Sequence, residues 1–83
     1  MIDWPKELLD LGFTHCGRAT FRVASFWVEL DLPDSVIVFV TQARHLPTPR
    51  HLPADDHTIE IIKQLMDISR DEQVVFINSL PKL

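Results

Sequence analysis

Three prolines within eleven residues, Pro47, Pro49 and Pro53 in the stretch Arg44 to Ala54, constrain this chain more than any other feature of its sequence. Proline has no amide hydrogen to donate and holds φ near about −65°, so the stretch loses three donors. Taken locally, this excludes a regular helix or ladder across it and predicts an ordered surface loop. A near-repeat overlies the prolines: Arg44-His45-Leu46-Pro47-Thr48-Pro49 is followed directly by Arg50-His51-Leu52-Pro53-Ala54-Asp55. In polyproline II geometry, positions six apart face the same way about 19 Å from one another. Arg44 and Arg50 then line one side and His45 and His51 another, a stiffened strip suited to recognition of an anion or a partner chain. In the plainer reading Leu46 and Leu52 pack onto the body and the polar groups face water.

The rest of the chain is that of an ordinary globular protein, 83 residues with 46% apolar and 24% charged side chains, and no linker-like stretch divides it. One domain over residues 1–83 is expected, with a stability of about 4 to 12 kcal/mol. A chain this short needs most of its apolar residues for the core, and no substrate pocket of about 300 Å³ or more is expected. The longest apolar run, Val36 to Val40, is five residues, against roughly 20 for a membrane span. The lone Cys16 allows no internal disulfide, and Met1-Ile2-Asp3 shows no secretory leader, so a cytoplasmic location is expected. The net charge of −4 argues against bulk attraction to nucleic acid.

Local patterns give an element order. Asp3 caps a helix over Trp4 to Leu11, with Pro5 in its first turn, Leu8, Leu9 and Leu11 as its apolar stripe, and Gly12 as its stop; Phe13 folds back onto it. Alternation over Ala19 to Val23 reads as a strand, and a second alternation sets Phe26, Val28 and Leu30 opposite Trp27, Glu29 and Asp31. The phase slips between them, so Ala24-Ser25 is a bulge or a tight turn. Asp31 to Ser35 is a turn into the central strand Val36 to Val40, which is apolar on both faces and pairs back as a hairpin. Asp55 and Asp56 open a helix that buries Ile59, Ile62, Leu65 and Met66. Val74 to Ile77 reads as a last strand, parallel to the central one after a right-handed crossover. The expected fold is α/β (α+β), a mixed four-stranded sheet with two helices in the order α-β-β-β-α-β, helices on one face and the other partly bare.

Chemistry-bearing constellations are few. His45, His51 and His57 recur every six residues, a spacing that keeps them too far apart for one zinc ion. His15 and Cys16 point to opposite sides of an extended segment, which leaves the thiol as a small buried group and the pair without a base-to-nucleophile contact. Gly12 and Gly17 are the only glycines, and neither belongs to a phosphate-binding motif. No catalytic residue, metal or cofactor is therefore expected. From Asp55 to Glu72 six acidic residues meet only Lys63 and Arg70, while Arg18, Arg22, Arg44 and Arg50 lie outside that segment. This segregation suits steering toward a charged partner.

Trp4 and Trp27 are the natural anchors of a contact surface. Trp27 alternates out of phase with Phe26, Val28 and Leu30, so it faces outward if they face the core. The expected partner-binding set is Trp27, Arg22, Arg44, His45, Arg50 and His51. The function this supports is a small non-catalytic regulator or inhibitor, of the kind phages and mobile elements encode. It would dock another protein through a sheet face or edge and the proline-rich loop, and a strand edge also offers a route to a homodimer.

The alternative is RNA. Lys6-Glu7-Leu8-Leu9-Asp10-Leu11-Gly12-Phe13, followed by His15 and strands, resembles the opening of the short toxin ribonucleases of the HicA type. That resemblance covers the first quarter of the chain and implies an RNA-binding protein or ribonuclease. The family's Gly-Ser-His segment has no counterpart in Thr14-His15-Cys16-Gly17, so no catalytic role passes to His15.

Overall fold

The computed structural model describes residues 2–23, 26–40 and 48–80. Helix α1 (Trp4–Asp10) is followed by strands β1 (Thr14–His15), β2 (Thr20–Val23), β3 (Phe26–Asp31), β4 (Ser35–Val40) and β5 (Thr48–Pro53), then helices α2 (Asp56–Met66) and α3 (Arg70–Ser79). The five strands form one sheet in sequence order, every neighbouring pair antiparallel. The fold is thus α+β, with one strand and one helix more than the sequence predicts.

Helix α1 begins and ends as its sequence requires. The Asp3 carboxylate accepts from Lys6 N at 3.3 Å, which satisfies one of the amides a helix start leaves unpaired. At the other end Gly12 takes φ 100°, Gly12 N donates to Leu9 O at 3.0 Å and Phe13 N to Leu8 O at 3.0 Å. This paired 5→2 and 6→1 closure brings Phe13 onto Leu8, and both are buried. The predicted stripe is corrected in part: Leu8 is buried, Leu11 half-buried, and Leu9 turns to solvent. Trp4, expected at a contact surface, is only 2% exposed and belongs to the core.

Two larger corrections concern the C-terminal half. Thr48–Pro53 is a strand despite its prolines, because both fall where the ladder asks for no donor. Ala54 N donates to Asp34 O at 3.2 Å, and β5 is registered on β4 with Pro53 opposite Ser35 and Pro49 opposite Phe39. In an antiparallel pair hydrogen-bonded and non-hydrogen-bonded positions alternate. Residues 48, 50 and 52 therefore bond to β4, while 49, 51 and 53 turn their backbone groups to the free edge, where proline is tolerated. Local sequence shows that these donors are lost but not the direction in which they would have pointed. The Arg44 to Pro47 part of the predicted loop, and Ala24-Ser25, lie outside the described residues; Val23 opposes Phe26 across β2 and β3.

Val74 to Ile77 is helical, not a strand, so no parallel crossover forms. Ser69-Arg70-Asp71-Glu72 is a capping sequence: Glu72 N donates to Ser69 Oγ at 3.4 Å, and Ser69 Oγ donates to the Glu72 carboxylate at 3.0 Å. Gln73 and Ile77, one helical turn apart, are both buried. Gln73 Nε2 donates to Leu65 O at 2.7 Å, satisfying a carbonyl at the end of α2 that the helix itself leaves open. The β-branched residues favour a strand locally, and the cap with the buried i, i+4 pair outweighs them.

Helix α2 follows its prediction except that Met66 is half-buried and Ile61 joins the buried stripe. Asp55 accepts from Thr58 N at 3.1 Å, Thr58 Oγ1 donates to the Pro53 carbonyl, and Ile59, Ile61, Ile62 and Leu65 face inward. A single hydrophobic cluster joins these to Trp4, Leu8, Phe13, Ile77 and the inward side chains of the sheet, Phe21, Phe26, Val28, Val36, Val38, Val40 and Leu52. Phe13 meets Phe26 edge-on with ring centroids 5.4 Å apart, a favoured aromatic geometry. All three helices therefore contribute to one side of the sheet. Among the described residues no helix is long and apolar enough to cross a membrane.

Candidate binding face

Among the described residues no helix packs on the other side of the sheet. The strand registers place its side chains in three rows. The first runs Thr14, Arg22, Trp27, Phe39, Pro49, the second Thr20, Glu29, Ile37, His51, and the third Asp31, Ser35, Pro53 at the end nearest the β3–β4 turn. Arg22, Trp27, Glu29, Pro49 and His51 are exposed, and Phe39 and Ile37 are half-buried. Trp27, at 36% exposure, is among the most exposed large hydrophobic residues described.

The hydrogen-bond phase sets the spacing within these rows. Leu30 N donates to Ala19 O at 2.8 Å, so Phe26, Val28 and Leu30 bond toward β2 and the intervening Trp27 and Glu29 bond toward β4. Trp27 and Phe39 are then a hydrogen-bonded pair, whereas Arg22 and Trp27 form a non-hydrogen-bonded pair, whose side chains stand closer. The result places two aromatic residues at cross-strand positions with Arg22 on one flank and Pro49 on the other, and Glu29 and Ile37 in the next row.

Of the predicted partner-binding residues, the structure brings Arg22, Trp27 and His51 together on this face. Arg50 does not join them: it pairs with Val38, a buried residue of the helix-covered side. Consecutive residues of a strand point to opposite faces, so β geometry separates Arg50 from His51 where polyproline II geometry had set both along one strip. Arg44 and His45 lie outside the described residues. Sequence reasoning missed Phe39 and Ile37. Their signal was the apolar run Val36 to Val40, in which alternate residues had to face the side left bare of helices.

The other candidates hold less chemistry. Cys16 is exposed, not buried as expected, and its thiol lies 3.6 Å from Thr20 O. His15 lies flat on Phe21 with ring centroids 4.5 Å apart, and its Nε2 is 3.4 Å from Arg18 O. Among the described residues no group of three or more His, Cys, Asp or Glu is arranged to hold a metal ion.

The expectation of no sizeable pocket is overturned. An apolar concavity of about 410 Å³ lies where Ile2 and Trp4, the β3–β4 turn at Leu32 and Pro33, and Ala54 to Asp56 converge. A shallower groove of about 520 Å³ runs along α3 past Ile68, Val75 and Phe76. In the first, the Asp55 carboxylate is already occupied as the cap of α2. Small elements meeting at their ends leave such gaps, which the composition does not reveal.

Comparison with protein-family models, with curated proteins and with solved structures finds no match for this chain.

Proposed function

We propose that this chain is a small non-catalytic binding protein, a regulator or inhibitor that docks another protein through the open face of its sheet. The observation that carries this reading is the register pairing of Trp27 with Phe39 on the face that no described helix covers, with Arg22 opposite Trp27 and Glu29 in the next row. Tryptophan, phenylalanine and arginine on a preformed surface supply contact area and directional hydrogen bonds at little entropic cost. Pro49 and His51 extend the face onto β5, so part of the proline-rich segment belongs to the docking surface. The β5 edge itself is a poor site for strand addition, since Pro49 and Pro53 leave only the His51 amide as an outward donor.

A second reading follows from the same pair. Aromatic side chains on the exposed side of an antiparallel sheet are also platforms for single-stranded RNA. Glu29 on that face and the net charge of −4 oppose it.

The two readings separate by salt. Wild-type protein and Trp27→Ala are used to capture partners from a bacterial lysate at low and high salt, and retained protein and nucleic acid are identified. Protein docking predicts a protein retained at both salts and lost in Trp27→Ala. RNA retained only at low salt and lost in Arg22→Ala would overturn the docking reading, because phosphate contacts weaken steeply with salt.

A further inference from the structure

The open face carries its own electrostatic complement. Arg22 on β2 and Glu29 on β3 are diagonal neighbours, since Arg22 opposes Trp27 and Glu29 is two residues further along the same strand. The ion pairs among the described residues are Lys6–Asp10 and Lys63–Glu60, so neither Arg22 nor Glu29 has one. Diagonal cross-strand positions stand about 7–8 Å apart, within reach of side chains this long, yet no ion pair joins the two, and both charges remain available to a third party. A molecule that covers the Trp27–Phe39 pair and offers an acid to Arg22 and a base to Glu29 replaces the water on both charges with charged partners. A second copy of this chain offers both at the spacing required.

We infer that the open faces of two copies pack together as a two-fold dimer, with Arg22 of each meeting Glu29 of the other around a central cluster of two Trp27 and two Phe39. This rests on the reading of the open face as a docking surface and makes a second copy of this chain, in place of a different protein, its occupant. With strands about 4.8 Å apart and a rise of about 3.4 Å per residue, the in-plane two-fold axis that superposes Arg22 on Glu29 of the other copy also passes midway between Trp27 and Phe39. One operation thus forms both charge pairs and centres the aromatic residues. The strands of the two copies then cross at about 70°, toward the orthogonal class of sheet packing. The edges do not compete: β5 carries its prolines outward, and β1 is two residues long. The face from β2 to β5 spans only about 20 by 20 Å in plan, which puts the interface at the small end and its dissociation constant in the micromolar range.

The test is sedimentation equilibrium of the purified full chain from low micromolar to submillimolar concentration, with wild type, Arg22→Glu, Glu29→Arg and the double variant. Circular dichroism confirms that each is folded. A wild-type dimer that each single reversal weakens at least about tenfold and the double reversal restores supports the inference. A wild type that stays monomeric overturns it, as does a dimer indifferent to all three variants. A monomer that still captures a lysate protein lost in Trp27→Ala leaves the docking reading standing with a different occupant. A monomer that captures none removes both.

Discussion

Proline substitution along β5 separates two positions that look alike in sequence. Arg50 and His51 are neighbours, both polar, both within the Pro49–Pro53 segment. The register with β4 and the Ala54 N to Asp34 O bond place Arg50 in a hydrogen-bonded pair with Val38 and His51 in a non-hydrogen-bonded pair with Ile37. Arg50→Pro removes a ladder donor worth about 1 kcal/mol and leaves the Val38 carbonyl unsatisfied beside a fully buried side chain, about 1–3 kcal/mol more. The ring adds steric conflict, so the total is about 3–5 kcal/mol, a large share of the about 4–12 kcal/mol expected for a domain of this size. His51→Pro removes an outward amide that bonds to nothing in the ladder and should cost about 1 kcal/mol or less. Urea denaturation followed by circular dichroism distinguishes them. With a slope of about 1 kcal/mol per molar, Arg50→Pro moves the midpoint down by about 3 M or leaves the chain unfolded, whereas His51→Pro moves it by about 1 M at most. Equal damage at the two positions, or tolerance of proline at 50, would refute the assigned phase of β5 and with it the argument against edge pairing.

The two tryptophans should part company in the same assay: Trp4→Ala, at a site 2% exposed, costs about 3–5 kcal/mol, while Trp27→Ala, at 36%, costs far less and is felt in partner binding. Gly12→Ala meets no atom within 4 Å yet must hold φ 100°, so it should lower stability by about 1–2 kcal/mol through backbone strain alone, with thermal melting as the measure. Asp55→Ala removes the cap that accepts from Thr58 N and should cost about 1 kcal/mol, and Asp55→Ser should recover most of it. For Lys6, the hydrogen bond and charge of Asp10 raise its pKa above the free value of 10.5. The small contribution of the Lys6 charge to stability is present below the free value and lost as pH rises through the raised one, so the difference between Lys6→Met and wild type should shrink as the buffer is taken from neutral to strongly alkaline.

What the sequence determined by itself were the features encoded within a turn or two of chain. Asp3 and Asp55 as caps, Gly12 as a left-handed stop with Phe13 folded back, and the inward phase of Phe26, Val28 and Leu30 all depend on neighbours two to five residues away. The outward phase of Trp27 followed from the same alternation, whereas its place beside Arg22 came only with the β2–β3 register. What only the tertiary structure decided was which way a backbone group points relative to a distant partner. Pro49 and Pro53 are incompatible with a strand until β4 lies on their other side, where the amide they lack is not wanted. Val74 to Ile77 has the composition of a strand until α2 supplies carbonyls for Gln73 and a core for Ile77. Phe39 and Ile37 looked like core residues until all the described helices packed on the opposite side. The binding face is therefore composite: strand period fixes which side chains share a side, and only the placement of the helices decides which side stays open.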